Sequence, residues 1–137
     1  MLDLLKKKTK VILDTNFLFI PGELGIDVFT EIDKIIQEPY ELCVMESTIH
    51  ELENILKETA KQKQGLNAKL ALILIKQKNL KTIRSSFTEY ADDSIIEYTA
   101  QNPKTIIATQ DKDLRNRIKK IPARIIKLRQ KKYLEMG

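Results

Sequence analysis

Apolar residues along the chain follow two rhythms. Short, nearly unbroken apolar runs, "KVIL" at 10–13, "ELCVM" at 41–45, "TIIAT" at 105–109 and "RIIKL" at 124–128, predict strands buried on both faces, and "KTIRS" at 81–85 reads as a shorter one. Between them apolar residues recur every three or four positions, which predicts helices. Phe29, Ile32, Ile35 and Ile36 share a face over 27–37, closed by Pro39. Ile49, Leu52, Ile55 and Leu56 do so from Ser47 onward, and a second helix at 67–77 follows Gly65. Ile95, Ile96, Thr99 and Ala100 mark a helix from Asp92 to "QNP", and 111–121 a short one stopped by Pro122.

Strands alternating with helices predict right-handed crossovers and an α/β fold, a mainly parallel sheet sandwiched between helical layers. At 137 residues the chain fits one domain, 1–137, with 129–137 as a polar, basic tail. Its 42% apolar and 31% charged residues supply a core and a solvated surface, unlike a disordered segment. "LALILI" at 70–75 is far short of the ~20 residues of a membrane span. The single cysteine, Cys43, excludes an internal disulfide, and no charged-then-apolar signal segment opens the chain, so a cytoplasmic location is expected.

Charge is unevenly distributed. Residues 104–137 hold eleven Lys or Arg against Asp111, Asp113 and Glu135, a net +8, whereas residues 1–103 are net −3. A basic C-terminal third attracts polyanions through phosphate contacts, although a solvated lysine-rich face has the same composition.

Acids at strand ends bring chemistry into the picture. In open parallel sheets the functional crevice lies outside the carboxyl ends of the strands. Asp14 directly follows "KVIL", Asp111 and Asp113 follow "TIIAT", and Glu51 and Asp93 fall in the first turns of helices that can face the same crevice. Each has a helix-capping explanation: Asp14 and Asp111 as caps, Asp92 or Asp93 as another, and Thr48-x-x-Glu51 as a capping box. Capping does not require all of them on one sheet edge. Two unit charges ~4 Å apart repel by about 4 kcal/mol at an effective dielectric of 20, so grouped carboxylates take up protons or bind cations. All-oxygen ligands suit Mg²⁺ or Mn²⁺, and such a site activates water against a phosphodiester.

The stretches "VILDTNFL", "STIHELENI", "YADDSIIEYTA" and "TIIATQDKDLRNRIKKIP" together resemble the PIN-domain ribonucleases, in particular the branch of archaeal PIN proteins and Fcf1-type ribosomal RNA processing factors. The resemblance spans residue 10 to about 128, with four motifs in order. It implies a parallel five-stranded sheet with helices on both faces, and a Mg²⁺ or Mn²⁺ site that cuts single-stranded RNA. It also implies Asp14, Glu51, Asp93 and Asp111 as catalytic metal ligands, with Asp113 auxiliary and Asp92 left as the helix cap. Asp93 is preferred over Asp92 because "DSIIEYTA" then puts Ala100 at the family's small helix position. Thr15, Asn16, Ser94 and Thr109 match polar positions that would brace the carboxylates. One departure is the missing proline before the Glu51 helix.

Around this set, Arg115, Arg117, Lys119 and Lys120 are expected to hold the RNA backbone. Tyr90 and Tyr133 are candidates for stacking on a base. His50 points about 100° from Glu51 on a helix and reads as a surface side chain. Cys43, Phe17, Phe19 and Phe29 read as packing. The expected partners are RNA, a second copy of the chain, and an antitoxin or ribosome-assembly factor, with no membrane. The rivals are a PIN module that binds RNA without cutting it, which ordinarily loses its acids, and a receiver domain, which needs its acidic pair after the first strand.

Overall fold

Val11 and Leu13 of β1 (Thr9–Leu13) pack into one hydrophobic cluster and Ile12 into another, one on each face of a central sheet. This is why the strands read as continuous apolar runs: both faces are covered. The computed structural model describes residues 8–85 and 90–137. After β1 come α1 (Thr15–Leu18), α2 (Ile20–Leu24), α3 (Val28–Ile35), β2 (Tyr40–Met45), α4 (Glu46–Glu58) and α5 (Lys63–Gln77). Then follow β3 (Lys81–Ile83), α6 (Ala91–Gln101), β4 (Ile106–Ala108), α7 (Lys112–Ile118), β5 (Arg124–Arg129) and β6 (Tyr133–Met136).

Helices α1 to α5 cover one face, burying Phe17, Leu18, Ile20, Val28, Ile32, Leu52, Ala68 and Ala71. On the other, α6 and α7 bring Ile95, Leu114 and Ile118 against Ile12, Ile107 and Cys43. Phe17 and Phe29 are buried and Phe19 packs against them, so the aromatics serve the core. Burial also pushes the Cys43 thiol up to about 11, leaving it inert. The three-layer α/β sandwich is therefore as the sequence led us to expect.

The sheet runs β3-β2-β1-β4-β5-β6 among the described residues, every neighbour parallel except β5 and β6. Six strands replace the five expected, and the sixth corrects the reading of 129–137 as a tail. Gln130 and Lys131 both take φ 54°, and the Lys132 N–H donates to the Arg129 carbonyl at 3.0 Å. Positive φ at both central positions matches the right-handed twist of a tight hairpin, a conformation usually announced by Asn or Gly. Here Gln and Lys adopt it because Leu134 is buried in the larger cluster and β6 packs against α3.

Two capping expectations also change. α4 begins at Glu46, directly off β2, with Met45 as its cap residue, so Thr48 lies buried inside the helix and the Thr48–Glu51 box does not form. α6 begins at Ala91 with Tyr90 before it, which puts Asp92 in the first turn and not at the cap. Gly65 in α5 is fixed by close approach, since a Cβ there would lie 1.9 Å from the Thr59 carbonyl oxygen. No helix among the described residues is long and apolar enough to cross a membrane.

Candidate active site

Leu13 of β1 pairs in register with Ala108 of β4, so the two strands end side by side, and the Asp14 N–H donates to the Ala108 carbonyl at 2.9 Å. Asp14 thus leaves the sheet at its carboxyl edge as the cap of α1, only 2% exposed. Its Oδ1 accepts the Thr15 N–H at 2.8 Å and its Oδ2 accepts the Thr109 hydroxyl at 2.8 Å. Thr109 in turn accepts the Asp111 N–H at 3.0 Å, and Asp111 Oδ1 caps α7 through the Leu114 N–H at 3.1 Å. Asn16 Oδ1 accepts the Gln110 N–H at 2.9 Å, stitching the segment after β1 to the one after β4. Of the polar side chains expected to brace the carboxylates, Thr109 binds Asp14, whereas Thr15 does so only through its backbone N–H and Asn16 accepts the Gln110 N–H instead. The capping explanation is also true of Asp14 and Asp111, which cap and face the crevice at once.

Electrostatics ties in the remaining acids. Burial, reinforced by the charges of Asp92 and Glu51, pushes the Asp14 carboxyl up to about 7, against the pull of its bonds from Thr109 and Thr15. Asp92, half-buried, is raised by burial and then by Asp111 and Glu51, with Arg117 opposing. Asp14, Glu51, Asp92 and Asp111 are thus near enough for their charges to act on one another, with Glu51 on the exposed side of α4. His50 beside it is exposed, as expected.

Asp93 is turned elsewhere. It forms an ion pair with Arg117 of α7, Oδ1 to Nη2 at 3.0 Å, with both side chains 46% exposed. The expected places of Asp92 and Asp93 are thus not the observed ones: the cap of α6 is Tyr90, two residues before Asp92, and the adjacent aspartates diverge by about 100° on the helix. Ser94 does not brace a carboxylate either. It belongs to a chain of hydroxyls: Ser85 Oγ donates to Ser47 Oγ at 3.1 Å, Ser47 to Ser94 at 2.9 Å, and Ser94 to the Tyr90 carbonyl at 3.2 Å. This chain joins α4, α6 and the segment after β3. Asp113 is exposed and is not among the charges acting on Asp14 or Asp92.

Of the basic residues, Arg115 donates from Nη1 to the Gln110 carbonyl at 2.9 Å and Arg117 is paired with Asp93, while Lys119 and Lys120 are exposed past α7. Gln110, which also accepts the Leu128 N–H at 2.6 Å, escaped the sequence reading, as did Ser47 and Ser85. A polar residue between Thr109 and Asp111 was the available signal for Gln110; the serines carried none.

The donor set suits a hard divalent cation: carboxylates only, one of them buried among other negative charges, and beside it the Thr15 hydroxyl buried without a hydrogen-bond partner. Among the described residues no three His, Cys, Asp or Glu side chains stand close enough to hold a metal as they are.

The PIN like domain family matches this chain over residues 11–131. The chain belongs to that family. Ribonuclease VapC4 of Methanocaldococcus jannaschii is 33% identical over 93% of this chain and 95% of its own length. The rRNA-processing protein fcf1 of Schizosaccharomyces pombe is 30% identical over 82% of the chain, which spans 54% of that relative. Among solved structures, the PIN domain endonuclease Utp24 superposes with a TM-score of 0.75 at 23% identity, covering 93% of this chain and 90% of that one. The chain spans about half of the Fcf1 relatives it matches, yet nearly all of the VapC4 ribonuclease.

Proposed function

We propose that this protein is a metal-dependent endoribonuclease that hydrolyses RNA phosphodiester bonds, with Asp14, Glu51, Asp92 and Asp111 holding Mg²⁺ or Mn²⁺. The observation that carries the reading is Asp14: a carboxylate at the sheet edge, 2% exposed, facing Asp92 and Glu51 with its pKa pushed up to about 7. Burial and like charge disfavour the anion of such a group, and a bound cation would offset that cost. Family membership and the VapC4 ribonuclease's likeness along nearly its whole length support the same conclusion.

A divalent cation bound there supplies Lewis acidity toward the phosphoryl oxygens and lowers the pKa of a nearby water. The chain's own residues do the rest. Thr109 and the Thr15 N–H fix both oxygens of Asp14, so its direction is set before substrate arrives. Asn16 and Gln110 hold the β1 and β4 ends together, keeping Asp111 in register with Asp14. No side-chain nucleophile is needed. Lys119 and Lys120, exposed beyond α7, hold the RNA backbone; Asp113, also exposed, is at most a peripheral ligand.

Purified protein incubated with single-stranded RNA in Mn²⁺ should cut it, should stop in chelator, and should lose cutting when Asp14 becomes Asn. Undiminished cleavage by the Asp14→Asn protein would reject the assignment. Two biological settings fit, ribosomal RNA processing beside the Fcf1 relatives and a toxin with an antitoxin partner beside VapC4.

A further inference from the structure

Arg117 reaches from α7 to Asp93 on α6 through a single hydrogen bond, Nη2 to Oδ1 at 3.0 Å. Among the described residues its other N–H donors have no acceptor. Arg124 is differently placed, with both arms of its fork on Glu38 at 2.7 and 3.0 Å, and Arg115 spends an arm on the Gln110 carbonyl. Asp93 and Arg117 are each 46% exposed, so a solute reaches the pair from outside. The same guanidinium acts on Asp92, the neighbouring acid that faces Asp111 and Glu51.

Resting on the nuclease reading above, we propose that Asp93 is a positioning residue, holding Arg117 at the rim of the acidic crevice, where the unused arm of its fork binds a phosphate oxygen of the RNA strand. A phosphodiester brought to a group of carboxylates meets like charge, and Arg117 offsets part of it. A guanidinium suits the task because its planar fork matches phosphate oxygens two at a time. The hold is weak by construction: an exposed pair exchanges its carboxylate for a phosphate at little cost. Asp93 thereby sets the direction of Arg117 without needing to touch a metal.

The test measures two affinities that need no cleavage, for Mn²⁺ alone and for a short labelled single-stranded RNA in chelator. Arg117→Gln should bind RNA about tenfold more weakly, and Arg117→Lys should recover part of that through charge without the fork. Asp93→Ala should keep the Mn²⁺ affinity of the unchanged protein and weaken RNA binding by about threefold, the size an exposed ion pair transmits. In the Arg117→Gln background the Asp93→Ala change should have no further effect. A tenfold loss of Mn²⁺ affinity in Asp93→Ala makes Asp93 a ligand and overturns the proposal. So does RNA binding unchanged in Arg117→Gln, or an Asp93 effect that persists without Arg117. Were the unchanged protein to leave RNA uncut yet show this binding pattern, the nuclease reading would fall and the phosphate contact would stand. Cleavage with Arg117→Gln unimpaired in binding sinks the phosphate contact alone.

Discussion

The two edges of the one sheet treat acids in opposite ways. At the amino edge two glutamates have cations: Glu38 takes Arg124 at 2.7 and 3.0 Å and the Thr9 hydroxyl at 2.5 Å, and Glu41 takes Lys10 at 2.5 Å and Lys81 at 3.4 Å. Arg124 holds the Glu38 carboxyl down at about 2, and Lys10 holds Glu41 below its ordinary range. At the carboxyl edge Asp14 faces Asp92 and Glu51, and burial with like charge lifts it to about 7. The same functional group, a carboxyl, is therefore paired with cations at one end and crowded by like charge at the other. Unbalanced acids cost stability, and a fold retains that cost where it is used for binding or catalysis.

Four experiments break or sharpen this contrast. The largest effect should come from Asp14→Asn, a loss of RNA cleavage of about a thousandfold or more, with far-UV circular dichroism unchanged. Next, Mn²⁺ at about one hundred times its Kd should stabilise the unchanged protein by roughly 2.7 kcal/mol in a thermal melt, and the Asp14→Asn protein far less; equal stabilisation of both would remove Asp14 from the cation site.

A smaller effect follows from the raised Asp14 pKa. The folded carboxyl, near 7, binds its proton more tightly than an unfolded one near 3.8, so its contribution is full below about pH 4 and is lost as pH rises toward 7. In chelator Asp14→Asn should melt higher than the unchanged protein at pH 8, by about 1 kcal/mol after allowance for the hydrogen bonds it alters, and this advantage should vanish at pH 4. The smallest change belongs to the amino edge. Glu38→Gln should cost a few tenths of a kcal/mol at pH 7, because the pair is exposed and screened, and leave cleavage untouched. Glu38's pKa is lowered, so its stabilisation is present above about pH 4.5 and fades as pH falls toward 2. A loss of cleavage in that variant would show the two edges to be coupled.

Much of this molecule is legible in the order of its residues. Apolar runs and helical spacings located five of the strands and the longer helices, since burial on two faces or one stripe leaves a periodicity that the chain carries openly. Asp14 and Asp111 could be named because a carboxylate that ends a parallel strand has one edge to occupy. Other features left no such mark. Strand β6 folds back on a Gln–Lys turn that lacks the usual Asn or Gly, and only the burial of Leu134 against the far cluster accounts for it. The serine chain from Ser85 through Ser47 to Ser94 joins residues up to 47 positions apart, and no local pattern foretells a bond between hydroxyls on separate elements.

The adjacent aspartates mark the boundary most clearly. Sequence alone determined that this chain makes an acid-edged parallel sheet, because hydrophobic period and strand-end chemistry are local properties. Which of Asp92 and Asp93 looks into the crevice was decided by tertiary structure. Successive helical residues diverge by about 100°, so the way α6 is seated beside α7, where Arg117 pairs with Asp93, separates the two side chains.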